Sequence, residues 1–495
     1  MTDNLRPPPL LVVAITVLAL LAGLWFASEG VRGTDQYTYL SDVETLAQNQ
    51  PPLSNLYFPA KLLREGTDTT PNYFSHNGPL MQLVAMLSRK FDSYSSWIAI
   101  NLASHLVVAG ALFWVIGAQC NRSIAAWTTL LYLASPIAFW QSANILQEQF
   151  FAAVLALILF GYTFRHTGIG ELLLITALAL GILAHPLFIA PALLYPLLGL
   201  FITRKPRTIL RTLLLIAALA IMLYLKSHSA EFYPSIFQPS LEIIITSAVP
   251  GGSNVFWHFA EYLPELNAEL LINKFKVAAL KHVFDLRHTA FYFYTNMAFL
   301  ALGYLLLFHY RRYREQIFVI GLFLGLYAAI IVLQQNHARF QQIIAPASFL
   351  AIALALHHVT TRYLKPALVC LLFLTVAFDA LLAKRLHDDS QLERTDLATI
   401  VKHTEFPVDA RIAMLDVKPH GPLARAFRPL PVLTVWSSML TEVSVERAFT
   451  LFDPSHILSV TTLPPQLKTL FQQTGTIDSR LFGQVGIYKQ TTQKP

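Results

Sequence analysis

Six side chains in this sequence have types and surroundings that could do chemistry: Asp35, His76, Glu148, His185, His337 and Arg339. A carboxylate can take a proton from an attacking hydroxyl. A guanidinium can grip a phosphate through two parallel hydrogen bonds. Asp35, Tyr39 and Asp42 recur at i, i+4 and i+7, so they share one helical face. Leu40, Val43 and Ala47 fall on another. The stretch from Asp35 to Gln48 therefore reads as a helix on a membrane surface, with a carboxylate at its N-terminal end.

Three more segments stand out. In Tyr73-Phe74-Ser75-His76-Asn77-Gly78-Pro79-Leu80, the proline suits a first helical turn. Leu80, Leu83 and Leu87 then give a second amphipathic face. Gln147-Glu148-Gln149 stands at the entrance of an apolar run, where an ionisable group is often functional if it faces the protein interior. A solvated loop glutamate is the plainer reading. Asn336-His337-Ala338-Arg339-Phe340 precedes another apolar run. A bound anion would explain Arg339 there; a snorkelling interfacial arginine is its plainer reading.

These residues are positioned by apolar elements. Apolar residues make up 55% of the 495 and charged ones 13%, about half the ~25% of a soluble globular protein. The mean hydropathy is +0.50. That excludes a soluble enzyme, a disordered chain and a collagen-like fibre. It indicates an α-helical polytopic membrane protein, since a span needs about 20 mostly apolar residues. Eleven spans are expected: Leu10–Phe26, Trp97–Ala118, Ile124–Trp140, Phe150–Phe164, Glu171–Ala184, Pro186–Ile202, Ile209–Leu225, Phe291–Phe308, Phe318–Leu333, Ile343–His357 and Pro366–Leu382. Only His185 and Pro186 separate the fifth from the sixth, which could form one kinked element. The first reads as a retained span rather than a cleaved signal.

Lysine and arginine set the orientation. With the N-terminus inside, twelve fall in the inner loops and one, Arg339, in the short outer ones. The basic run Arg311-Arg312-Tyr313-Arg314 belongs to the inner set, and His357-His358 looks structural. The same count places loops 27–96 and 226–290 and the tail outside. The net charge of +7 thus reads as topology. The tail is near balance, with 12 basic and 11 acidic residues from Arg385 onward, and offers no nucleic-acid footprint. Cys120 and Cys370 both fall in or beside spans, so no disulfide is expected.

The expected organisation is a transmembrane domain over 1–384 and a soluble extracytoplasmic α/β domain over 385–495. In the tail, Gln391–His403, Ser438–Phe449 and Pro465–Gln472 read as helices. Arg411–Val417, Pro431–Trp436, His456–Thr461 and Gln484–Lys489 read as strands. It has no Gly-rich phosphate loop. The polar candidates all map to the outer side. Three histidines and two carboxylates there are compatible with a divalent metal, but no pair has a ligand spacing, so no metal site is assigned.

In their order and sidedness these motifs resemble the GT-C glycosyltransferases, among them protein O-mannosyltransferases, lipid A aminoarabinose transferases and rhizobial galacturonosyltransferases. Asp35 stands where that superfamily has an acidic residue after the first span. Phe74–Leu80 matches its aromatic and His/Lys-Pro-Pro-Leu run. Glu148, after Ser135-Pro136, matches the glutamate heading the fourth span. His337-Ala338-Arg339-Phe340, with Pro346 beyond, matches the late His-x-Arg-aromatic loop. The chain departs at Asp35-Gln36, where relatives often carry two carboxylates. It departs again at Gly78-Pro79, which replaces Pro-Pro, with His76 one place early.

The resemblance implies inverting transfer of a sugar from a polyprenyl-phosphate carrier to a lipid, glycan or protein acceptor. In that reading Asp35 is the general base and Glu148 lies near the acceptor or sugar. Arg339, helped by His337, faces the leaving phosphate, and Tyr39, His76 and His185 bind substrate. The site would lie on the extracytoplasmic side of a plasma membrane, expected to be a bacterial inner membrane from the lack of disulfide cysteines and glycan-rich loops. A lipid or sugar transporter or flippase is the competing reading, and a catalytically inactive subunit the third. Inverted repeats and broken midplane helices, common in transporters, are not evident.

Overall fold

The structure is a computed structural model. It describes residues 6–28, 33–49, 55–57, 79–184, 286–309, 321–328, 338–359, 361–417, 420–435 and 442–491, with a few isolated positions. His76, His185 and His337, the sixth and seventh expected spans and most of loop 226–290 lie outside the described residues. So does the Asp35 side chain, although its backbone is placed.

The first helix, α1 (Pro9–Ala27), begins at a proline, which loses no hydrogen bond at that position. The outer-loop helix α2 covers Gly33–Ala47, and a two-residue strand β1 follows at Leu56–Tyr57. Then come α3 (Pro79–Ser88), α4 (Ser93–Gln119), α5 (Arg122–Leu133) and α6 (Pro136–Ser142). Asp92 caps α4 by accepting from Ser95 N at 2.9 Å, and Asn121 caps α5 by accepting from Ile124 N at 2.8 Å. The expected third span is broken between α5 and α6, where Pro136 removes a backbone donor after Ser135. The rest of the described bundle is α7 (Glu148–Thr163), α8 (Gly168–Ala184), α9 (Leu286–His309), a 3₁₀ turn at Ala338–Phe340, α10 (Gln341–His358) and α11 (Thr361–Lys402).

Among the described residues, α1, α4 and α11 are long and apolar enough to cross a membrane. α7, α8 and Phe293–Leu306 are shorter apolar helices. Leu10, Val13, Leu18 and Leu21 on α1 and Phe373 and Leu381 on α11 are exposed, as lipid-facing residues would be. The core is built from α4, α5, α7, α8, α9 and α10.

The tail contains β2 (Ile412–Leu415), α12 (His420–Ala426), β3 (Val432–Val435), α13 (Glu442–Phe452), β4 (His456–Ser459), α14 (Pro465–Leu470), β5 (Phe471–Ser479) and β6 (Gly483–Gln490). The sheet order is β1-β3-β2-β4-β6-β5. β1, β3, β2 and β4 run parallel; β6 is antiparallel to β4 and to β5. Side chains alternate between two cores, as the two-residue period of a strand requires. Ile412, Met414, Val432 and Leu458 meet α11, α12 and Tyr37 of α2. Ala413, Leu415, Leu433 and Ile457 meet α13 and α14.

Two features differ from the sequence expectation. The helix expected at Gln391–His403 is not separate: it is the C-terminal end of α11, and the 384/385 boundary falls inside that helix. Neither Gly nor Pro intervenes between Ala367 and Lys402 to end it. The sheet also recruits β1 from the first loop, with Leu56 in register with Val432. Asn55 fastens that strand, donating from Nδ2 to Ala424 O at 2.8 Å and Leu430 O at 2.7 Å. Tyr37 donates its hydroxyl to Asn55 Oδ1. Glu44 of α2 accepts from Arg425 Nη2 and Arg428 Nη1, both at 2.9 Å. One face of α2 is thus held by the tail. Tyr39, Leu40 and Val43 on another face pack on α3, Trp97 and Ile100.

Candidate functional site

Glu148 opens α7, where the positive end of the helix dipole favours a carboxylate. It is buried, and its Oε1 lies 3.2 Å from Arg339 Nε. Arg339 comes from the 3₁₀ turn that precedes α10, and its Cζ stands 4.8 Å from the centroid of the Phe340 ring. The structure therefore joins two of the residues singled out in the sequence, from opposite halves of the chain. Glu148 is nearly fully buried and Arg339 partly so, and removing the arginine would leave the buried carboxylate unmatched.

A polar network surrounds the pair. Gln342 Nε2 donates to Gln149 Oε1 at 2.7 Å, and Gln149 Nε2 donates to the Tyr132 hydroxyl at 3.0 Å. Thr295 Oγ1 approaches Gln341 Oε1 at 3.4 Å. On the other side, Asn101 Nδ2 donates to the carbonyls of Asn144 and Leu146, and Trp97 Nε1 donates to Leu146 O at 3.3 Å. These bonds fix the bend between α6 and α7 that presents Glu148. Buried polar groups among apolar helices are stabilised where they pair, and these bonds satisfy part of the network's capacity.

α2 reaches the same place. Gln36 Nε2 donates to Asn144 Oδ1 at 3.0 Å, four residues before Glu148. Asp35, its neighbour in the first turn of α2, therefore starts from the same end of the bundle. Tyr39 is buried, with its ring stacked on Trp97 at 5.8 Å between centroids. Asp42, on the face shared with Asp35 and Tyr39, is 1% exposed, and neither carboxylate oxygen has a hydrogen-bond partner. Burial holds its carboxyl well above the usual carboxylate range, opposed more weakly by the Arg428 guanidinium.

Among the described residues no three histidines, cysteines or carboxylates gather as a metal-binding group. The tail has a cavity of about 490 Å³ lined by His403, Glu405, His456 and Lys489 among others. His403 follows Leu382 by 21 residues of chain, most of it helix α11. At 1.5 Å per residue that puts the cavity roughly 30 Å beyond the expected membrane end of the last span. None of its lining residues belongs to the segments that carry Glu148 and Arg339.

Sequence reasoning found the two charges but missed the amides. Gln141, Gln147, Gln149, Gln341 and Gln342 are all buried, on segments that carry the pair or pack against those that do. The signal was present: four glutamines stand at the heads of two expected spans, and Gln141 follows the end of a third, all on the side already assigned as outer.

No family model and no curated protein sequence matches the chain. Solved structures do match in fold. ArnT from Cupriavidus metallidurans bound to undecaprenyl phosphate superposes with a TM-score of 0.55 at 11% identity, covering 97% of this chain and 98% of that one. Its apo form gives a TM-score of 0.56 at 12% identity, covering 96% and 97%. The oligosaccharyltransferase AglB from Archaeoglobus fulgidus, in complex with an inhibitory peptide and a dolichol-phosphate, gives 0.54 at 12% identity, covering 98% of this chain and 74% of that one. Over nearly its whole length, this chain shares the fold of these solved ArnT and AglB structures, and its described helices include apolar ones long enough to cross a membrane.

Proposed function

We propose that this protein is a membrane glycosyltransferase that moves a sugar from a polyprenyl-phosphate carrier to a lipid, glycan or protein acceptor on the extracytoplasmic side. The observation that carries the reading is the buried Glu148–Arg339 pair at the end of the bundle where α2 docks, within a fold shared with proteins solved holding undecaprenyl phosphate and dolichol-phosphate.

The acceptor hydroxyl attacks the anomeric carbon from the face opposite the phosphate, and the configuration inverts. The new C–O bond forms as the bond to the phosphate oxygen breaks, and its electron pair leaves with the lipid phosphate. Asp35 takes the hydroxyl proton. Arg339 opposes the charge developing on the phosphate, where a fixed cation lowers the barrier. A guanidinium has five N–H donors; Glu148 pairs with it by charge from the Nε side, with Oε1 at 3.2 Å. This assigns Glu148 to holding Arg339, a narrower role than contact with acceptor or sugar. Tyr39 supports α2 through Trp97. His76, His185 and His337 remain proposed substrate contacts.

The test is release of polyprenyl phosphate from labelled polyprenyl-phosphate sugars by purified protein in nanodiscs with membrane-extract acceptors. Wild type should release it. Asp35→Asn should be slower by about 10²- to 10⁴-fold, the usual worth of a general base. Arg339→Ala should be similarly impaired. Movement of intact donor across the bilayer without release would overturn the reading in favour of a carrier.

A further inference from the structure

The amides around the ion pair have unmet hydrogen-bonding capacity. Gln141 is fully buried, and neither its Nε2 nor its Oε1 has a partner in the protein. Gln147 Nε2, Gln341 Nε2 and Gln342 Oε1 are likewise buried and unmatched. Folded proteins pair more than about 90% of their buried polar groups, so a concentration of orphans in one neighbourhood needs its own cause.

The four side chains are neighbours of the pair. Gln147 precedes Glu148, and Gln341 and Gln342 follow Arg339 by two and three residues. Gln141 lies on α6, which packs against α7, α10 and the turn that carries Arg339. The 3.2 Å contact between Glu148 and Arg339 ties these segments together.

The orphans include both donors and acceptors. A phosphate or carboxylate could satisfy only the donors, and an ammonium only the acceptors. A hydroxyl gives and receives, so a polyol satisfies both. The local charges also cancel, since Glu148 faces Arg339. A uronic acid or an amino sugar would bring an ionic group with no counter-charge among these glutamines.

We propose that Gln141, Gln147, Gln341 and Gln342 form a wall that binds hydroxyls of the transferred sugar, and that this sugar is uncharged. The inference rests on the transferase reading and names its substrate class. Arg339 serves the phosphate; the glutamines serve the sugar ring.

The experiment measures binding by nanodisc-embedded protein of four ligands: polyprenyl phosphate alone, and the same lipid phosphate carrying a neutral hexose, a hexuronic acid or an amino-pentose. Wild type should bind the neutral-hexose lipid most tightly. Gln141→Leu should weaken that ligand about 10- to 100-fold, the effect of leaving a buried hydroxyl unpaired, while binding of bare polyprenyl phosphate stays within about twofold. The melting temperature of Gln141→Leu should equal or exceed that of wild type, because the variant removes an orphaned amide. Gln147→Met provides a second variant with the same expectation. Preference for a charged sugar, or unchanged hexose binding in both variants, overturns this inference and leaves the transferase reading standing. Failure of wild type to bind any of the four overturns both.

Discussion

At the scale of single residues, the site is a matter of where charge is buried and whether it is matched. Glu148 and Arg339 match each other. Asp42 does not: it is buried without a hydrogen-bond partner, and its folded-state pKa is raised. Its stability contribution is therefore fully present below the unfolded carboxylate pKa and is lost as pH rises through the folded one. At neutral pH the ionised form is a burden on the fold. Asp42→Asn should raise the melting temperature at pH 7–8, and the difference from wild type should vanish towards pH 4. A thermal-unfolding series against pH in detergent checks this; a variant less stable than wild type at pH 8 would show that the ionised group is used.

The helices are positioned by contacts that no single residue reveals. α7 and α8 cross so closely at Gly161 that an added Cβ would lie 2.7 Å from the backbone N and Cα of Leu174. Real Cβ atoms do not approach so near, so the helices must separate. Gly161→Ala should destabilise the bundle by about 1–3 kcal/mol, the cost of overpacking. Gly110→Ala, at a position with nothing within 4 Å of the added carbon, should be neutral or mildly stabilising. Equal unfolding midpoints for the two variants in denaturant would contradict the packing.

Across the whole molecule, α11 connects lipid to sheet. Its 42 residues extend roughly 60 Å at 1.5 Å per residue. Asp396, near its upper end, is buried and caps the β5–β6 turn. Its Oδ1 accepts from Arg480 N at 2.8 Å, and its Oδ2 accepts from Leu481 N at 3.0 Å and from the Ser479 hydroxyl. Asp396→Ala orphans these donors and should cost the tail about 2–3 kcal/mol. Hydrogen exchange should quicken in 471–490 while α4 and α7 keep their protection. Uniform quickening would mean that tail and bundle unfold as one unit.

The sequence by itself determined the apolar elements, because a span announces itself by composition and length: α1, α4, α8 and α10 lie within a few residues of expectation. It indicated four tail strands as short β-prone runs between turn residues, and it singled out Glu148 and Arg339 because charge is rare beside apolar runs. Tertiary structure decided the rest. The pairing of Glu148 with Arg339 joins residues far apart in the chain, and no local pattern encodes which charges meet. β1, two residues long, has no period of its own and exists only because β3 offers an unpaired edge. β5 is mostly polar and solvent-facing, so its partner β6 rather than its composition makes it a strand. The buried glutamines are neutral, and a neutral polar residue becomes conspicuous only once its surroundings are known to be dry.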